Sequence, residues 1–562
     1  TAFSCFLGML FFAGGVLMRL CIRYVRLIRW TFRLIATVLL MNLAAGAVYG
    51  QLPPIETVEV GPNRVLYVNG KPFLPIMAWL QNPSNFPLVK KCGMNTVAGY
   101  WPRAGGTQNV AEYLELVKAA GLYGVMPYDP AIKGHPALLG YIHDDEPDLP
   151  HQEGSADVQP GPGLRLNPKT PLWRMVDGDE SSWSVLDPLE NAEWTLRLKS
   201  PATVGRVAFW LTVSPGLSVA TEIALLDGDR EVARFHLEPR RGKQEFTLPQ
   251  PLTAKEFRFR VLRTQAGQNE WGSISEVAGY DTAGQNVFLS PPRLVPRQWP
   301  ERTKEVYQKI KLADPSRPVF MTFTGYFHPH FSKWSDQERR SLYPAYIEAT
   351  DVVGFDIYPI YGWNKPEWIH LVYEATAQLT AMAGERPVYA WIETSKGGQY
   401  TGPLERQKDV TGRHIRAEVW MALCGGATAI GYFTHVWKPA YSQFGVPEEN
   451  QRALKEINDQ LTRLAPAILA ARETAKLRVE VPEKARLAAF LTRHDGFAYI
   501  FAVNYDPEEK PVTAKFVLSG LADSVSGSVE VVEEGRSLPL GNRQFVDTFG
   551  PLAVHIYRIR LE

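Results

Sequence analysis

The sequence has little cysteine, with four in 562 residues. Cys5 and Cys21 fall within the first fifty residues, and Cys92 and Cys424 lie far apart in apolar surroundings. This spacing forms neither a disulfide framework nor a CxxC metal site, so it excludes a small fold held together by cross-links. We expect Cys92 and Cys424 to be buried free thiols.

The chain also lacks an excess of charge of either sign. It carries 60 Lys and Arg against 59 Asp and Glu, a formal net charge of +1. A nucleic-acid partner, which needs a basic surface, is therefore not expected. At 562 residues the chain is too long for one compact core, and we expect two to four domains.

No apolar run near the N-terminus reaches the roughly 18–20 clean residues of a membrane-spanning helix. Residues 1–50 instead carry a basic stretch ("MRLCIRYVRLIRWTFR"), a shorter apolar stretch and small residues before "QLPP". This order is typical of a secretory leader with cleavage near residues 45–50. We predict a secreted or periplasmic mature protein without stable membrane insertion. A membrane anchor through the same apolar segment is the alternative.

Aromatic residues, by contrast, are abundant. They make up 11% of the chain, with 15 Trp and 23 Tyr. Such side chains fill protein cores, but tryptophan also stacks on the flat faces of sugars. The composition is that of a globular protein and favours an oligo- or polysaccharide partner. No motif requires a cofactor, and no set of metal ligands is predicted.

Eight short apolar strands, most of them followed by a helical stretch, run through residues 51–151 and 296–470. Strands that alternate with helices predict a parallel sheet, and eight such units predict an α/β protein with a (β/α)₈ TIM barrel. We expect the strands at residues 73–79, 94–101, 122–129, 138–146, 318–326, 351–359, 387–394 and 428–437.

Residues 152–295 interrupt this pattern with period-two strands and no helix signal, which predicts a β-sandwich inserted after the fourth barrel strand. The segments "LWRMVDGDESSWS", "EWTLRLKSPATVGRVAFW" and "FRFRVLRTQAGQNEWGSISEVAGYD" resemble the discoidin-like (coagulation factor C-type) carbohydrate-binding fold. The turn "DGDESSW" at residues 177–183 is a candidate site for a structural calcium ion. Residues 471–562 alternate again and predict a C-terminal antiparallel β-sandwich.

The stretch "LLGYIHDDEPDLP" (138–150) crowds four carboxylates directly behind an apolar strand. Such crowding costs stability unless chemistry or a cation uses it, because like charges repel and burial raises carboxylate pKa values. Glu146 at the end of strand four is matched by Glu393 at the end of strand seven, and barrel enzymes place catalytic groups at these ends. Hydrolysis of a glycosidic bond needs one carboxylic acid to protonate the leaving oxygen and one carboxylate to attack or support the anomeric carbon.

These features resemble the clan A glycoside hydrolases, which are retaining (β/α)₈ enzymes with catalytic residues on strands four and seven. The matching motifs are "HDDEP", with DEP on strand four, and "AWIET". The resemblance implies double displacement on a β-glycosidic bond, with Glu146 as acid/base and Glu393 as nucleophile. It also implies that Tyr358 contacts the nucleophile and that Trp437 forms the floor of the subsite for the sugar whose bond is cleaved.

Asp145 departs from that family, which has an asparagine before the acid/base to hydrogen-bond the sugar 2-hydroxyl. An aspartate accepts from that hydroxyl but donates only when it is protonated. Substrate-assisted N-acetylhexosaminidases use an Asp–Glu pair, so such an enzyme with Asp145 and Glu146 is an alternative. A non-catalytic carbohydrate-binding barrel and a hydrolase that uses the acid cluster with a metal also stay open, as does a calcium ion near the DDEPD turn.

Aromatic and polar residues follow most of the other strands, as expected for a sugar-binding cleft. Each of them alone is more readily explained by loop packing, whereas the set together favours a cleft. We predict further substrate contacts by Trp79, Trp101, Tyr128, His328 and Trp363.

Overall fold

The computed structural model describes residues 52–506, 510–519 and 527–561. The leader predicted for residues 1–50 lies outside these ranges. Within them, no helix is both long and apolar enough to cross a membrane. The chain divides into two compact units, one from Pro147 to Trp299 and one that combines the chain up to Glu146 with the chain from Pro300 onward.

The larger unit contains a closed barrel of eight parallel strands, as the sequence predicts. The strands are continuous apolar runs because a parallel barrel is covered on both faces, by its own interior and by helices. We number them β1 (Ile76–Trp79), β2 (Thr96–Ala98), β3 (Tyr123–Pro127), β4 (Leu138–Ile142), β5 (Val319–Thr324), β6 (Val352–Asp356), β7 (Val388–Glu393) and β8 (Ala429–Phe433).

Helices cover most of the crossovers between these strands. Two of them begin with a capping box, in which the first polar side chain and the residue three positions later bond each other's backbone. The crossover from β3 to β4 has only the short 3₁₀ turn Pro130–Ile132. The helices are α1 (Phe86–Lys91), α2 (Val110–Ala119), α3 (Pro300–Ala313), α4 (Asp336–Ile347), α5 (Leu371–Ala383), α6 (Gly412–Gly425) and α7 (Glu448–Ile468).

Large aromatic side chains from β7 fill the interior of the barrel. Thr322 is hydrogen-bonded to the Tyr389 hydroxyl at 2.8 Å and accepts from the Trp391 indole N–H at 3.2 Å. The neighbouring strands make room with glycine. A Cβ atom on Gly354 would lie 2.1 Å from the Tyr389 ring, and one on Gly431 would lie 2.2 Å from the Trp391 ring. The interior below the mouth is therefore a packed core, as barrels of this size require.

The rest of the larger unit is built from antiparallel sheets. A three-stranded sheet precedes the barrel, with strands Val58–Gly61, Val65–Val68 and Lys71–Phe73. A three-stranded and a five-stranded sheet follow it, and Trp420 of α6 stacks on Phe501 of the latter at 5.5 Å. The eight later strands are Leu477–Glu480, Leu487–His494, Phe497–Asn504, Val512–Leu518, Gly527–Val531, Arg536–Leu540, Gln544–Phe549 and Val554–Arg560. Cys92 and Cys424 are buried and free, which confirms the prediction made from their surroundings.

The smaller unit has an antiparallel core sheet of seven strands, and Trp194 stacks on Phe259 in its interior at 5.4 Å. A two-stranded ribbon of Pro150–Glu153 and Arg293–Pro296 joins the two ends of the unit. The strands of the sheet are Asp157–Pro160, Ser184–Leu186, Glu193–Leu211, Val219–Asp227, Arg230–His236, Lys243–Gln265 and Gly272–Tyr280.

Candidate active site

The C-terminal ends of the barrel strands form the mouth at which barrel enzymes place their chemistry. Two residues past the end of β4 the chain turns, leaving Asp144 exposed and Asp145 and Glu146 half-buried. Glu146 has a φ of 49°. This left-handed conformation is uncommon for residues other than glycine and recurs at functional sites.

His143 does not join these carboxylates. It is buried, and its Nε2 lies 2.8 Å from the carbonyl oxygen of Ala349, just beyond α4. Burial lowers the pKa of His143, so the imidazole is neutral near pH 7. The Nε2 atom of His143 is therefore bound to the backbone of another element and not to the acids that follow it. In the alternative of a hydrolase that uses a metal, His143 does not supply this nitrogen as a ligand.

Tyr358 lies among three carboxylates of the mouth. Its pKa is raised well above the usual value, first by burial and then by the charges of Asp356, Asp145 and Glu146. Asp145 and Asp356 also raise the pKa of Tyr389 in the barrel interior, after burial as the main cause. The structure thus brings two predicted carboxylates, Asp145 and Glu146, together with the predicted Tyr358.

Asp356 is a member of this group that the sequence analysis missed. It is the last residue of β6, in the stretch "GFDIYP", and it is half-buried. In the sheet it is paired with Trp391, whose ring packs in the barrel interior. An acid ending an apolar strand was the available signal, the same one that singled out Glu146 and Glu393.

Glu393 is placed differently from the other acids. It ends β7 but is fully buried, with an exposed fraction of 0%. Its Oε1 accepts from the backbone N–H of Ile360 at 3.0 Å, and its Oε2 accepts from the N–H of Tyr361 at 2.5 Å. Both oxygens are thus used to hold the loop that follows β6.

A second buried carboxyl group, Glu418 of α6, is the neighbour of Glu393. Burial raises the pKa of Glu393 to about 7, an effect offset in part by hydrogen bonding to Glu418 and to the two backbone amides. The pKa of Glu418 is raised well above its usual value, first by burial and then by the charge of Glu393. Burial beside Glu393 therefore favours the protonated form of Glu418. A lone glutamate within the apolar stretch "AEVWMALC" was the only hint of it in the sequence.

The predicted aromatic contacts fall into two groups. Trp437 is half-buried at the mouth, with its ring nearly parallel to Phe433 at 6.0 Å. Phe433 in turn lies 4.9 Å from Tyr358, so this wall adjoins the carboxylates. Trp79, by contrast, is buried and packs edge-on against Trp391 at 5.1 Å, so it belongs to the interior of the barrel.

The remaining predicted contacts lie on separate loops. Trp101 after β2 and Trp363 after β6 are exposed. Tyr128 packs edge-on against Tyr141 at 5.2 Å, on the side of β4 that faces the helices. His328 is half-buried, and its nearest titratable groups include Glu374 of α5.

The smaller unit contains the turn that was singled out for calcium. The Asp177 carboxylate accepts from the hydroxyl of Ser182 at 2.9 Å and from the N–H of Asp179 at 2.8 Å. Glu276 accepts from the N–H of Gly178 at 3.1 Å through Oε1, while its Oε2 is buried without a hydrogen-bond partner in the described structure. Two carboxylates and a hydroxyl are oxygen ligands of the kind calcium prefers, although calcium takes six to eight of them and these three groups supply only part of such a set.

We expect millimolar calcium to raise the melting temperature of the full chain by several degrees, and Glu276→Gln to abolish the shift. Burial raises the pKa of Glu276 to about 8. Since this exceeds the unfolded value, the calcium-free unit loses stability as pH rises from about 4.5 towards 8. Calcium, which needs the ionised carboxylate, should oppose that loss. Calorimetry with calcium and with EDTA between pH 6 and 9 checks this. A calcium shift that persists in Glu276→Gln would place the ion elsewhere.

The described ranges, this turn included, contain no group of three or more His, Cys, Asp or Glu side chains arranged to hold a metal ion. Neither a protein-family model nor a curated protein matches the sequence.

Solved structures do show similarity, at low sequence identity. The chain is similar to the family 32 carbohydrate-binding module of C. perfringens NanJ, solved with galactose, at 15% identity over 23% of this chain and 98% of that one, with a TM-score of 0.19. It is also similar to an Anoxybacillus alpha-amylase at 10% identity, over 47% of this chain and 57% of that one, with a TM-score of 0.32. A third neighbour is AmyP in complex with maltose, at 10% identity over 47% of this chain and 62% of that one, with a TM-score of 0.30.

The neighbours thus include an alpha-amylase and a carbohydrate-binding module. The chain spans 57% of the length of the Anoxybacillus alpha-amylase and 62% of that of AmyP.

Proposed function

We propose that the chain is a glycoside hydrolase that cleaves a β-linked sugar at the mouth of the barrel. The observation that carries the proposal is the group of Asp145, Glu146 and Asp356 around Tyr358, beside the aromatic wall of Trp437. Glycosidic bond hydrolysis uses two carboxyl groups on opposite sides of the bond. Asp145 and Glu146, which follow β4, and Asp356, which ends β6, are our candidates for such a pair.

Glu146 is assigned as the acid/base. It is half-buried at the end of β4 and keeps access to the mouth, so it can deliver a proton to the leaving oxygen. Asp145 beside it is assigned to the sugar hydroxyl next to the cleaved bond. The same pair is the alternative in which an N-acetylhexosaminide supplies its own nucleophile.

The carboxylate that attacks the anomeric carbon is Asp356 or Glu393. Glu393 is the residue that the family resemblance implies, but its two oxygens are occupied by the amides of Ile360 and Tyr361 and have no exposed surface. It would have to leave those amides before it could touch substrate. Asp356 is half-exposed at the end of β6, whereas Glu393 has no exposed surface, so the exposure of the two carboxyl groups favours Asp356.

Covalent labelling tests both the reaction and the assignment. The protein would be incubated with a panel of activated 2-deoxy-2-fluoro β-glycosides, and the adduct would be mapped by peptide mass spectrometry. We expect one sugar per chain on the peptide that contains Asp356, and loss of labelling in Asp356→Asn. Glu405→Gln, which alters an exposed glutamate of the same unit, is the matched control.

Other outcomes have definite meanings. An adduct on Glu393 would show that the loop after β6 opens, and would return the nucleophile role to that residue. No adduct, together with turnover of an aryl N-acetylhexosaminide, would assign the reaction to Asp145 and Glu146. Neither adduct nor turnover with any sugar of the panel would reject the hydrolase.

A further inference from the structure

We propose that the loops after β6, β7 and β8 together form an aromatic platform, made by Trp363, Tyr400 and Tyr441, that binds a saccharide chain of several units. The inference rests on the proposed function and specifies its substrate as an oligo- or polysaccharide rather than a small glycoside. The sequence analysis singled out only Trp363 of these three residues.

The three side chains are exposed where large aromatic rings are ordinarily buried. The exposed fractions are 40% for Trp363, 90% for Tyr400 and 49% for Tyr441. Large contiguous apolar patches with a polar rim mark ligand-binding surfaces, so the proposal requires the three rings to act together. An aromatic ring offers a flat face to the C–H groups of a sugar ring, while the sugar hydroxyls stay in water.

The three loops are tied to one another by hydrogen bonds. The Thr401 hydroxyl, next to Tyr400, donates to the carbonyl oxygen of Tyr361 in the β6 loop at 2.6 Å. The Lys438 ammonium of the β8 loop donates to the carbonyl oxygen of Gly402 in the β7 loop at 2.6 Å. These contacts join the three loops that carry the rings, along neighbouring strands of the barrel.

Trp363 is held from below by other rings. It stacks on Phe331 with ring centroids 4.8 Å apart and planes at 23°, and Trp368 lies 6.2 Å away. One face of the indole is thereby covered. A ring fixed in this way loses little conformational freedom when a sugar binds to its exposed surface.

Tyr441 is held by a different set of contacts. It packs against Trp437 at 5.4 Å, and its hydroxyl lies 3.4 Å from Nδ1 of His435. Nε2 of His435 faces the carbonyl oxygens of Trp79 and Leu80, each at 3.1 Å, so Nε2 carries the proton and Nδ1 accepts. The Tyr441 hydroxyl is therefore the donor, and its ring is fixed beside the aromatic wall of the mouth.

The arrangement favours a chain over a single sugar. Each ring stands on its own loop, and these loops follow three neighbouring strands of the barrel. One sugar ring cannot cover all three faces at once, whereas consecutive units of a chain can. Trp437 links the platform to the carboxylates, so one end of the bound chain would lie at the cleaved bond.

The test compares chain lengths on the full-length protein. For the sugar that the aryl-glycoside panel identifies, kcat/KM would be measured on oligosaccharides of two to six units and on the 4-nitrophenyl glycoside. We expect kcat/KM to rise at least about tenfold with length. Trp363→Ala, Tyr400→Ala and Tyr441→Ala should each lower the value for the longest substrate several-fold more than the value for the aryl glycoside. Leu312→Ala, at an exposed apolar side chain at the end of α3, should change neither.

Failure of the platform is distinguishable from failure of the proposed function. Equal kcat/KM at every length, or equal losses on long and short substrates in the three variants, would overturn the platform while leaving the hydrolase intact. If no glycoside is turned over, the intact protein and the three variants would be tested for binding to a glycan array. That measurement tests the platform independently of the hydrolase. Binding that the variants lose would support the platform without the hydrolase, and no binding would overturn both.

Discussion

Glu146→Gln is expected to lower kcat/KM by about 10²–10⁴-fold on a β-glycoside with a poor leaving group, and far less on one with a good leaving group. The reason is that Glu146 is assigned to protonate the leaving oxygen, and a dinitrophenolate leaves without that help. Glutamine keeps the size of the side chain and its place beside Tyr358 but cannot give up a proton. The loss should therefore grow with the pKa of the leaving group.

A series of aryl glycosides with leaving-group pKa values from about 4 to 10 measures this dependence. Asp144→Asn is the matched control, because Asp144 is exposed and lies two positions earlier in the same turn. We expect it to change kcat/KM less than threefold. An equal loss across the whole series in Glu146→Gln would contradict the acid/base assignment and would point instead to a role in binding or folding.

The second large effect is expected at the buried pair of Glu393 and Glu418. Both carboxyl groups have folded pKa values above their unfolded values, so the folded state binds their protons more tightly. Stability from this pair is fully present below the unfolded pKa of about 4.5 and is lost as pH rises through about 7. Glu418→Gln removes one of the two titrations, and its amide can still donate to Glu393. We therefore expect the variant to be the more stable protein at pH 8.5.

Glu393→Gln should behave in the opposite way. The side-chain NH2 of glutamine takes the place of one acceptor oxygen and faces a backbone N–H from which it cannot accept, which costs about 1–3 kcal/mol at every pH. Melting temperatures of the native protein and both variants between pH 5 and 9 measure both effects. Glu456→Gln, at an exposed position on α7, should leave the pH dependence unchanged. Parallel curves for the native protein and Glu418→Gln would show that the pair does not govern stability.

The barrel was predictable from the sequence because its strands are buried on both faces. Such strands appear as continuous apolar runs between helical stretches, and all eight were found in this way. The ends of the strands could also be predicted from the sequence, so Asp145 and Glu146 could be placed at the mouth. The sequence could not show how deep a strand-end residue lies. Trp79 was expected to contact substrate, yet it packs on Trp391 inside the barrel.

The state of Glu393 was not predictable for a related reason. Its burial depends on the backbone amides of Ile360 and Tyr361 and on a carboxyl group from α6, none of which is near it in sequence. Local patterns report which residues end a strand, but the partners of a side chain come from elements that meet only in the folded chain. Asp356 also ends an apolar strand, but its place beside Tyr358 and Asp145 arises only when the barrel closes.

Gly354 and Gly431 show that the barrel interior is a fixed volume divided between adjacent strands. The large rings of Tyr389 and Trp391 fit because Gly354 and Gly431 on the neighbouring strands have no side chain. A smaller residue at position 391 would open space beside Asp356, and a larger residue at position 431 could close it again. The depth of the mouth can thus be altered by paired exchanges that leave the hydrogen bonds between the strands untouched. This makes the floor of the barrel a place where related chains could diverge in specificity while keeping the same fold.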